Sequence, residues 1–320
     1  MNISIRKILK IALPILLGVF LIAYSFSKMS LTTLWDYAQN ADVKWIFIGL
    51  LCGLLSHFSR AYRWLYMAEP LGFKPKLANS FMAVYSAYLI NYTIPRAGEI
   101  ARATILSNYE NVPFDKGFGT IVSERIADMM MLFIIIGVAM VLQFEFIANF
   151  FLDKFSLQSL AIGLILVLAF VAFLIFIGKY KSNFTIRIKN FLKGILEGAL
   201  SIFKMKNKWL FLAHTIFIWV MYVTMFYVTT LAIPGLEHIP FAALLVGFIL
   251  ASFSIAATNA GIGSFPEAVV IGFTLFNLPE DPSRAFGWIM WASQTVMIIV
   301  IGGMSLLLLP VYNQKKHQNK

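Results

Sequence analysis

The chain of 320 residues is too apolar for a soluble globular protein: 60% of its residues are hydrophobic and 13% are charged, against about 45–50% and about 25% in soluble domains. The net charge of +11 does not indicate nucleic-acid binding, because the basic residues lie in short segments between apolar runs, where they set membrane orientation. The single cysteine, Cys52, excludes an intramolecular disulfide and a thiolate metal cluster. Composition therefore predicts a polytopic membrane protein.

Six apolar runs are each long enough to cross a hydrocarbon core, which takes about 20 helical residues. The first resembles a signal peptide, but it is long, contains Pro14 and has no small-x-small cleavage site, so we interpret it as a retained helix. The runs span residues 8–26, 45–67, 126–142, 157–177, 209–233 and 285–309.

Two further apolar stretches, 77–94 and 241–257, are each followed by a Pro/Gly break and a shorter helical segment, at 98–106 and 266–276. Irregular backbone at membrane depth is tolerated only where it is buried in protein or lines a watery cavity. We therefore predict two re-entrant helical hairpins whose breaks mark a cavity.

A weak internal repeat relates the two hairpins. With an offset of 168 residues, Asn91 and Glu99 of the first hairpin meet identical residues, Asn259 and Glu267, in the second. Weak internal symmetry of this kind is typical of secondary transporters, which bind their substrates near the bilayer midplane. We predict one transmembrane domain, 1–320, with a first repeat at 8–142 and a second at 157–309.

Basic residues gather mainly on one side of the predicted membrane, in the segments 6–10, 74–76, 116, 179–208 and 315–320. The positive-inside rule makes that side cytoplasmic, so we predict a multi-pass protein of the plasma membrane with both termini in the cytoplasm. The two repeats then have opposite topology. The segment 182–203 is predicted to be an amphipathic helix on the cytoplasmic leaflet, or a linker helix without lipid preference.

The predicted fold is all-α, with six spanning helices and two re-entrant helical hairpins in an inverted-topology repeat. Ionisable residues inside such a domain are functional-site hypotheses. Arginine's planar fork suits the phosphate of a lipid headgroup. The candidate headgroup-binding residues are Arg60, Arg63, Asn91, Arg96, Glu99, Arg102, Glu124, Arg125, Asp128, Asn259 and Glu267.

Three expectations concern how these charges are arranged. Glu99 and Arg102 lie one turn apart and are predicted to pair with each other. Glu124 and Asp128 share one helical face and would repel unless a cation, Arg60 or Arg102, sits between them. Glu267 is predicted to be the only charge of its hairpin and a candidate for a proton or cation step. With four histidines and no clustered ligands, we expect neither a metal nor another cofactor.

Four motifs in this order resemble the lysylphosphatidylglycerol synthase transmembrane-region family, also called flippase-like. They are SRAYRW at 59–64, PRAGE at 95–99 followed by Arg102, E-R-x-x-D at 124–128 and G-x-G-x-x-x-E at 261–267. The second turn departs from the pattern, since Ala260 stands where a proline is expected before the glycines. The resemblance implies the membrane domain that moves a lipid product between leaflets, without the aminoacyl transferase domain.

Our first hypothesis is therefore a lipid flippase for a phospholipid, aminoacylated or not, or for a polyprenyl-phosphate lipid. No Gly-x-x-x-x-Gly-Lys-Ser/Thr run is present to indicate an ATP site. The alternatives are a membrane-embedded transferase acting on polyprenyl phosphate and a non-catalytic membrane subunit of a separate synthase. The expected partners are membrane lipids, such a lipid-modifying synthase and a second copy of the chain in a homo-oligomer, and no nucleic acid.

Overall fold

The computed structural model describes residues 5–94, 96–144, 165 and 205–314, with side chains from residue 16 onward, and it is helical in all its regular elements. Six α-helices are described before residue 145 and four after residue 204. They are α1 Ile5–Lys28, α2 Leu31–Asn40, α3 Val43–Ala68, α4 Leu77–Thr93, α5 Ala97–Glu110, α6 Phe114–Leu142, α7 Lys208–Thr230, α8 Phe241–Ala257, α9 Ser264–Thr274 and α10 Glu280–Asn313. A short 3-10 helix, Glu69–Leu71, follows α3.

Four of these helices, α3, α6, α7 and α10, are long and apolar enough to cross a membrane, and α1 with α2 forms a fifth candidate that is bent by 80°. Five of the six predicted spanning runs thus coincide with helices. The sixth run, 157–177, and the predicted amphipathic segment 182–203 lie outside the described residues. A total of six spans therefore stays a prediction.

Helix α6 begins twelve residues earlier than the apolar run 126–142 indicates, at Phe114. The sequence hides this part of the helix because Asp115, Lys116, Glu124 and Arg125 interrupt its hydropathy. In the fold, Glu124 is buried against other helices rather than facing lipid. The apolar run therefore covers only part of α6, because hydropathy cannot distinguish a protein-facing charge from a loop.

The first hairpin is α4, a short break and α5. Arg96 has a left-handed backbone conformation, with φ of 60°, just before α5. The side-chain oxygen of Asn91 accepts a hydrogen bond from the backbone N–H of Gly98 at 2.8 Å, which satisfies one of the free donors of the α5 N-terminus. Gly98 packs so closely on α4 that a Cβ there would overlap the carbonyl of Ala87. The turn and the glycine therefore fix the angle between α4 and α5.

The second hairpin, α8 and α9, has a longer break. Ala260, Gly261 and Gly263 all have positive φ, of 51°, 77° and 68°, a conformation that glycine adopts without steric cost. A Cβ on Gly263 would come within 2.9 Å of the backbone nitrogen of Ile22, so α1 packs directly on this turn. The helix–break–helix pattern is present in both places, and whether either hairpin re-enters the membrane stays a prediction.

The four-helix units α3–α6 and α7–α10 have the same pattern: a long helix, the two shorter helices of a hairpin and a second long helix. Their lengths are 26, 17, 14 and 29 residues in the first unit and 23, 17, 11 and 34 in the second. They also pack reciprocally: α3 lies along α7, its counterpart, while α4 contacts α10 and α6 contacts α8. The asparagine pair Asn79 and Asn313 ties α4 to α10 through mutual side-chain hydrogen bonds of 3.0 and 2.9 Å. The two units thus form one closely interlocked body.

Candidate functional site

Five of the predicted charged residues come together in the interior, on α3, α5 and α6. Arg60 and Arg63 are one turn apart on α3, and they face Glu124 and Asp128 on α6, while Arg102 reaches the same place from α5. All five side chains are buried. We call these five residues the arginine cluster.

The two carboxylates of α6 are bridged by the arginines of α3. One nitrogen of Arg60 contacts both Glu124 and Asp128, the latter at 2.8 Å. Arg63 binds Asp128 at 3.0 Å and Glu124 at 3.3 Å, and it also donates to the hydroxyl of Thr215 on α7 at 2.9 Å. Arg60 therefore supplies the predicted cation between the carboxylates, and Arg63 supplies a second one.

Arg102 completes the cluster from the first hairpin. Its Nη2 lies 2.9 Å from Oε2 of Glu124, and its guanidinium carbon lies 3.7 Å from the ring centroid of Trp64, a cation–π distance. The indole N–H of Trp64 in turn donates to Thr120 at 2.8 Å. Arg102 is thus held by an α6 carboxylate and an α3 aromatic ring.

The predicted pairing of Glu99 with Arg102 is wrong. Glu99 binds Arg125 at 3.0 Å, and this pair is partly exposed, with 24% of the Glu99 side chain and 45% of the Arg125 side chain accessible. Arg102 points inward to Glu124, which is completely buried. A buried carboxylate gains more from a counter-ion than a hydrated one does, which explains why Arg102 is paired with Glu124 rather than with its own neighbour.

The arginine cluster does not balance its own charge. Three arginines face two carboxylates, so one positive charge remains, and the neutral Glu99–Arg125 pair beside it does not change that count. The Nε atoms of Arg60, Arg63 and Arg102 are buried and find no hydrogen-bond partner in the described part of the chain. An uncompensated buried cation is costly, so the arrangement suits one added anion.

A narrow cleft reaches the cluster at Arg102. It lies between the two helices of the first hairpin and α6, and Asn91 and Glu99, on either side of the hairpin break, both line it. Glu99 and Arg125 stand on its wall together with Arg102, which belongs to both the cleft and the cluster. The lining residues are Val84, Ala87, Tyr88, Asn91, Glu99, Arg102, Ile121 and Arg125.

Three predicted site residues lie elsewhere. Arg96 is exposed and makes no ion pair with any described residue. Asn259 belongs to the second hairpin, where its amide is 3.4 Å from the carbonyl of Tyr92. Glu267, on α9, is buried away from the arginine cluster. Asn91 does line the cleft, and its side chain closes the turn before α5.

Glu267 is the one charged residue of its hairpin, 241–276, as predicted, but it has a partner from the next helix. Arg284, near the start of α10, contacts both of its carboxylate oxygens at 3.0 and 3.4 Å, and only 2% of Arg284 is exposed. Sequence reasoning missed Arg284 because it precedes an apolar run and looks like a loop charge. The repeat offset, which superposes Arg284 on Lys116, was the available signal.

Among the described residues, no three His, Cys, Asp or Glu side chains come together as metal ligands would. Glu124 and Asp128 of the cluster form ion pairs with arginines instead. Buried guanidinium nitrogens of Arg60, Arg63 and Arg102 are therefore donors that this site leaves without a hydrogen-bond partner among the described residues.

Comparison with known proteins places these features in a family context. The model of the lysylphosphatidylglycerol synthase TM region matches residues 11–303. A UPF0104 membrane protein of Methanocaldococcus jannaschii is 22% identical over 338 aligned positions, which cover 97% of this chain and 98% of the relative. No solved structure matches the chain significantly.

Proposed function

The chain belongs to the lysylphosphatidylglycerol synthase TM region family, and from that premise we propose that it carries a phosphate-containing lipid between the leaflets of the plasma membrane. The headgroup crosses through the cleft beside the first hairpin while the acyl or polyprenyl tails stay in the bilayer. The arginine cluster binds the phosphate.

The observation that carries this proposal is the single excess positive charge buried in the arginine cluster. A phosphate group that enters the cleft reaches Arg102 first, since this residue borders both the cleft and the cluster. Guanidinium groups bind phosphate oxygens through short, charge-assisted hydrogen bonds. One negative charge brings the cluster to neutrality, so the anion gains more in this site than in an already balanced one.

The second unit supplies the other half of the pathway. We propose that it has the opposite membrane orientation, with both termini of the chain in the cytoplasm, so that the hairpins α4–α5 and α8–α9 approach the midplane from opposite faces. The reciprocal packing of α4 with α10 and of α6 with α8 supports this arrangement. The Glu267–Arg284 pair then lies on the side opposite the arginine cluster, where Glu267 remains the candidate for a coupled proton or cation.

Transport of tail-labelled lipids in proteoliposomes tests the proposal. A membrane-impermeant reductant reaches only the outer leaflet, so it removes about half of the fluorescence from protein-free vesicles. It should remove nearly all of the fluorescence when the protein moves inner-leaflet lipids to the outer leaflet. Arg102→Gln takes away the excess charge and leaves Arg60 and Arg63 balanced by Glu124 and Asp128, so it should fold but transport at least about tenfold more slowly.

Lys44→Gln is the matched control, because it also removes one positive charge but lies exposed at the start of α3. It should transport at the wild-type rate. An inner leaflet that stays protected for every phospholipid and polyprenyl phosphate would refute lipid translocation. Wild-type transport by Arg102→Gln would refute the role of the arginine cluster in binding the phosphate.

A further inference from the structure

A second group of buried polar side chains lies next to the arginine cluster. His57 is one helical turn before Arg60 on α3, and its ring is surrounded by three tyrosines from two other helices. The ring centroids of Tyr85 and Tyr88 on α4 lie 5.3 and 4.7 Å from that of His57, and the centroid of Tyr222 on α7 lies 6.1 Å away. We call His57 and these tyrosines the histidine–tyrosine group.

Polar atoms of this group lack partners. Nδ1 of His57 and the hydroxyl of Tyr85 are buried without a hydrogen bond to any described residue, although the side chains are only 7% and 0% exposed. The same holds for the indole nitrogen of Trp219, whose ring stands edge-on to Tyr222 with centroids 6.1 Å apart. Buried polar atoms in proteins are nearly always hydrogen-bonded, so these three atoms are free to bind polar groups of a ligand.

Tyr88 connects this group to the cleft. It lines the cleft together with Arg102 and Arg125, and its ring centroid lies 4.7 Å from that of His57. A headgroup whose phosphate is held by the arginine cluster therefore needs to extend past Tyr88, by about one helical turn of α3, to reach His57.

The charges around the histidine–tyrosine group restrict what binds there. No carboxylate belongs to the group, and none of the described residues forms an ion pair with His57. The neighbouring arginine cluster carries one excess positive charge, which the phosphate of a phosphodiester lipid already balances. A cationic headgroup would restore that excess, whereas an uncharged headgroup leaves the site neutral.

We infer that the histidine–tyrosine group binds an uncharged, hydroxyl-bearing headgroup, such as a glycerol, an inositol or a sugar, on an anionic phosphodiester lipid. This inference rests on the proposed function and names the substrate class of the same site. A hydroxyl both donates and accepts hydrogen bonds, so it can satisfy the donor of Trp219 as well as the acceptor sites of His57 and Tyr85. An ammonium group only donates, and its attraction to the aromatic faces is the competing effect.

Headgroup preference in the same proteoliposomes tests the inference. Tail-labelled phosphatidylglycerol and phosphatidylinositol should cross about tenfold faster than phosphatidylethanolamine and phosphatidylcholine of the same chain length. Their uncharged headgroups gain about one hydrogen bond and leave the site electrically neutral. Tyr85→Phe should slow the first two lipids about tenfold and leave phosphatidylcholine unchanged. His57→Phe should act in the same direction. Tyr62→Phe is the matched control, since it removes a hydroxyl of α3 outside the group.

The outcomes separate the inference from the function on which it rests. Equal rates for all four lipids, or faster transport of the amine-bearing ones, would overturn the headgroup assignment while transport itself stands. If no lipid crosses, binding is measured without transport, as the shift in melting temperature that short-chain phosphatidylglycerol or phosphatidylcholine causes in detergent. A shift for phosphatidylglycerol that Tyr85→Phe abolishes would support the headgroup site, and equal shifts would overturn it.

Discussion

Replacing Glu124 by glutamine should destabilise the protein more than any other single change to the arginine cluster. This carboxylate is 0% exposed and contacts Arg60, Arg63 and Arg102, so its neutralisation raises the excess buried charge from one to two. Removing one partner of a buried ion pair costs about 3–5 kcal/mol. For a domain of this size that is a fall in melting temperature of roughly 10 °C.

The chain provides its own reporter for this measurement. Cys52 is the single cysteine and is buried, so a thiol-reactive fluorogenic dye follows thermal unfolding in detergent. Glu99→Gln is the matched control, because it removes the same charge from the partly exposed pair with Arg125 and should cost only about 0–1 kcal/mol.

A second substitution distinguishes charge balance from lost packing. Glu124→Gln combined with Arg102→Gln returns the excess charge of the cluster to one and should recover several degrees of the loss. If Glu124→Gln melts within about 2 °C of Glu99→Gln, the ion pairs of Glu124 do not stabilise the fold more than a partly exposed pair does. If the double variant is less stable than Glu124→Gln, charge balance is not what the cluster requires.

Two further predictions concern the hairpins. Gly98→Ala should lower the melting temperature by several degrees, because its Cβ would overlap the carbonyl of Ala87. Gly119 has open space around it, so Gly119→Ala should be neutral or should stabilise α6 by about 1 kcal/mol. Equal effects of the two substitutions on the melting temperature would contradict the close packing of α4 and α5. Arg284→Gln should destabilise the protein by about 3–5 kcal/mol, because it leaves Glu267 buried without its partner. Adding Glu267→Gln should recover most of the lost melting temperature. A double variant that melts no higher than Arg284→Gln would contradict this explanation.

The sequence alone located the helices and hairpin breaks well, because these depend on local properties. The hairpin helices α4 and α8 begin where the apolar stretches 77–94 and 241–257 begin. Where charge entered a helix, the same reasoning failed: α6 begins twelve residues before its apolar run. Hydropathy averages over neighbours along the chain and holds no information about which side chains face protein.

The identity of the charged residues was also visible in the sequence, since charges are rare in a chain this apolar. Their pairing was not. Glu124 receives Arg60 from 64 residues away and Arg102 from 22 residues away, while the sequence indicated a pair between Glu99 and Arg102 within one turn. The repeat offset aligned Arg284 with Lys116, but it did not indicate that Arg284 is the partner of Glu267.

Sequence therefore determined that this chain enters the membrane, where its helices break and which few residues carry charge, because hydropathy, proline, glycine and charge act over one or two turns. Only the tertiary structure decided that three arginines share two carboxylates, that one positive charge is left over, and that His57 lies among tyrosines of α4 and α7. Each of these depends on helices that are distant in sequence packing side by side, and the free energy of a buried charge depends on every neighbour that surrounds it.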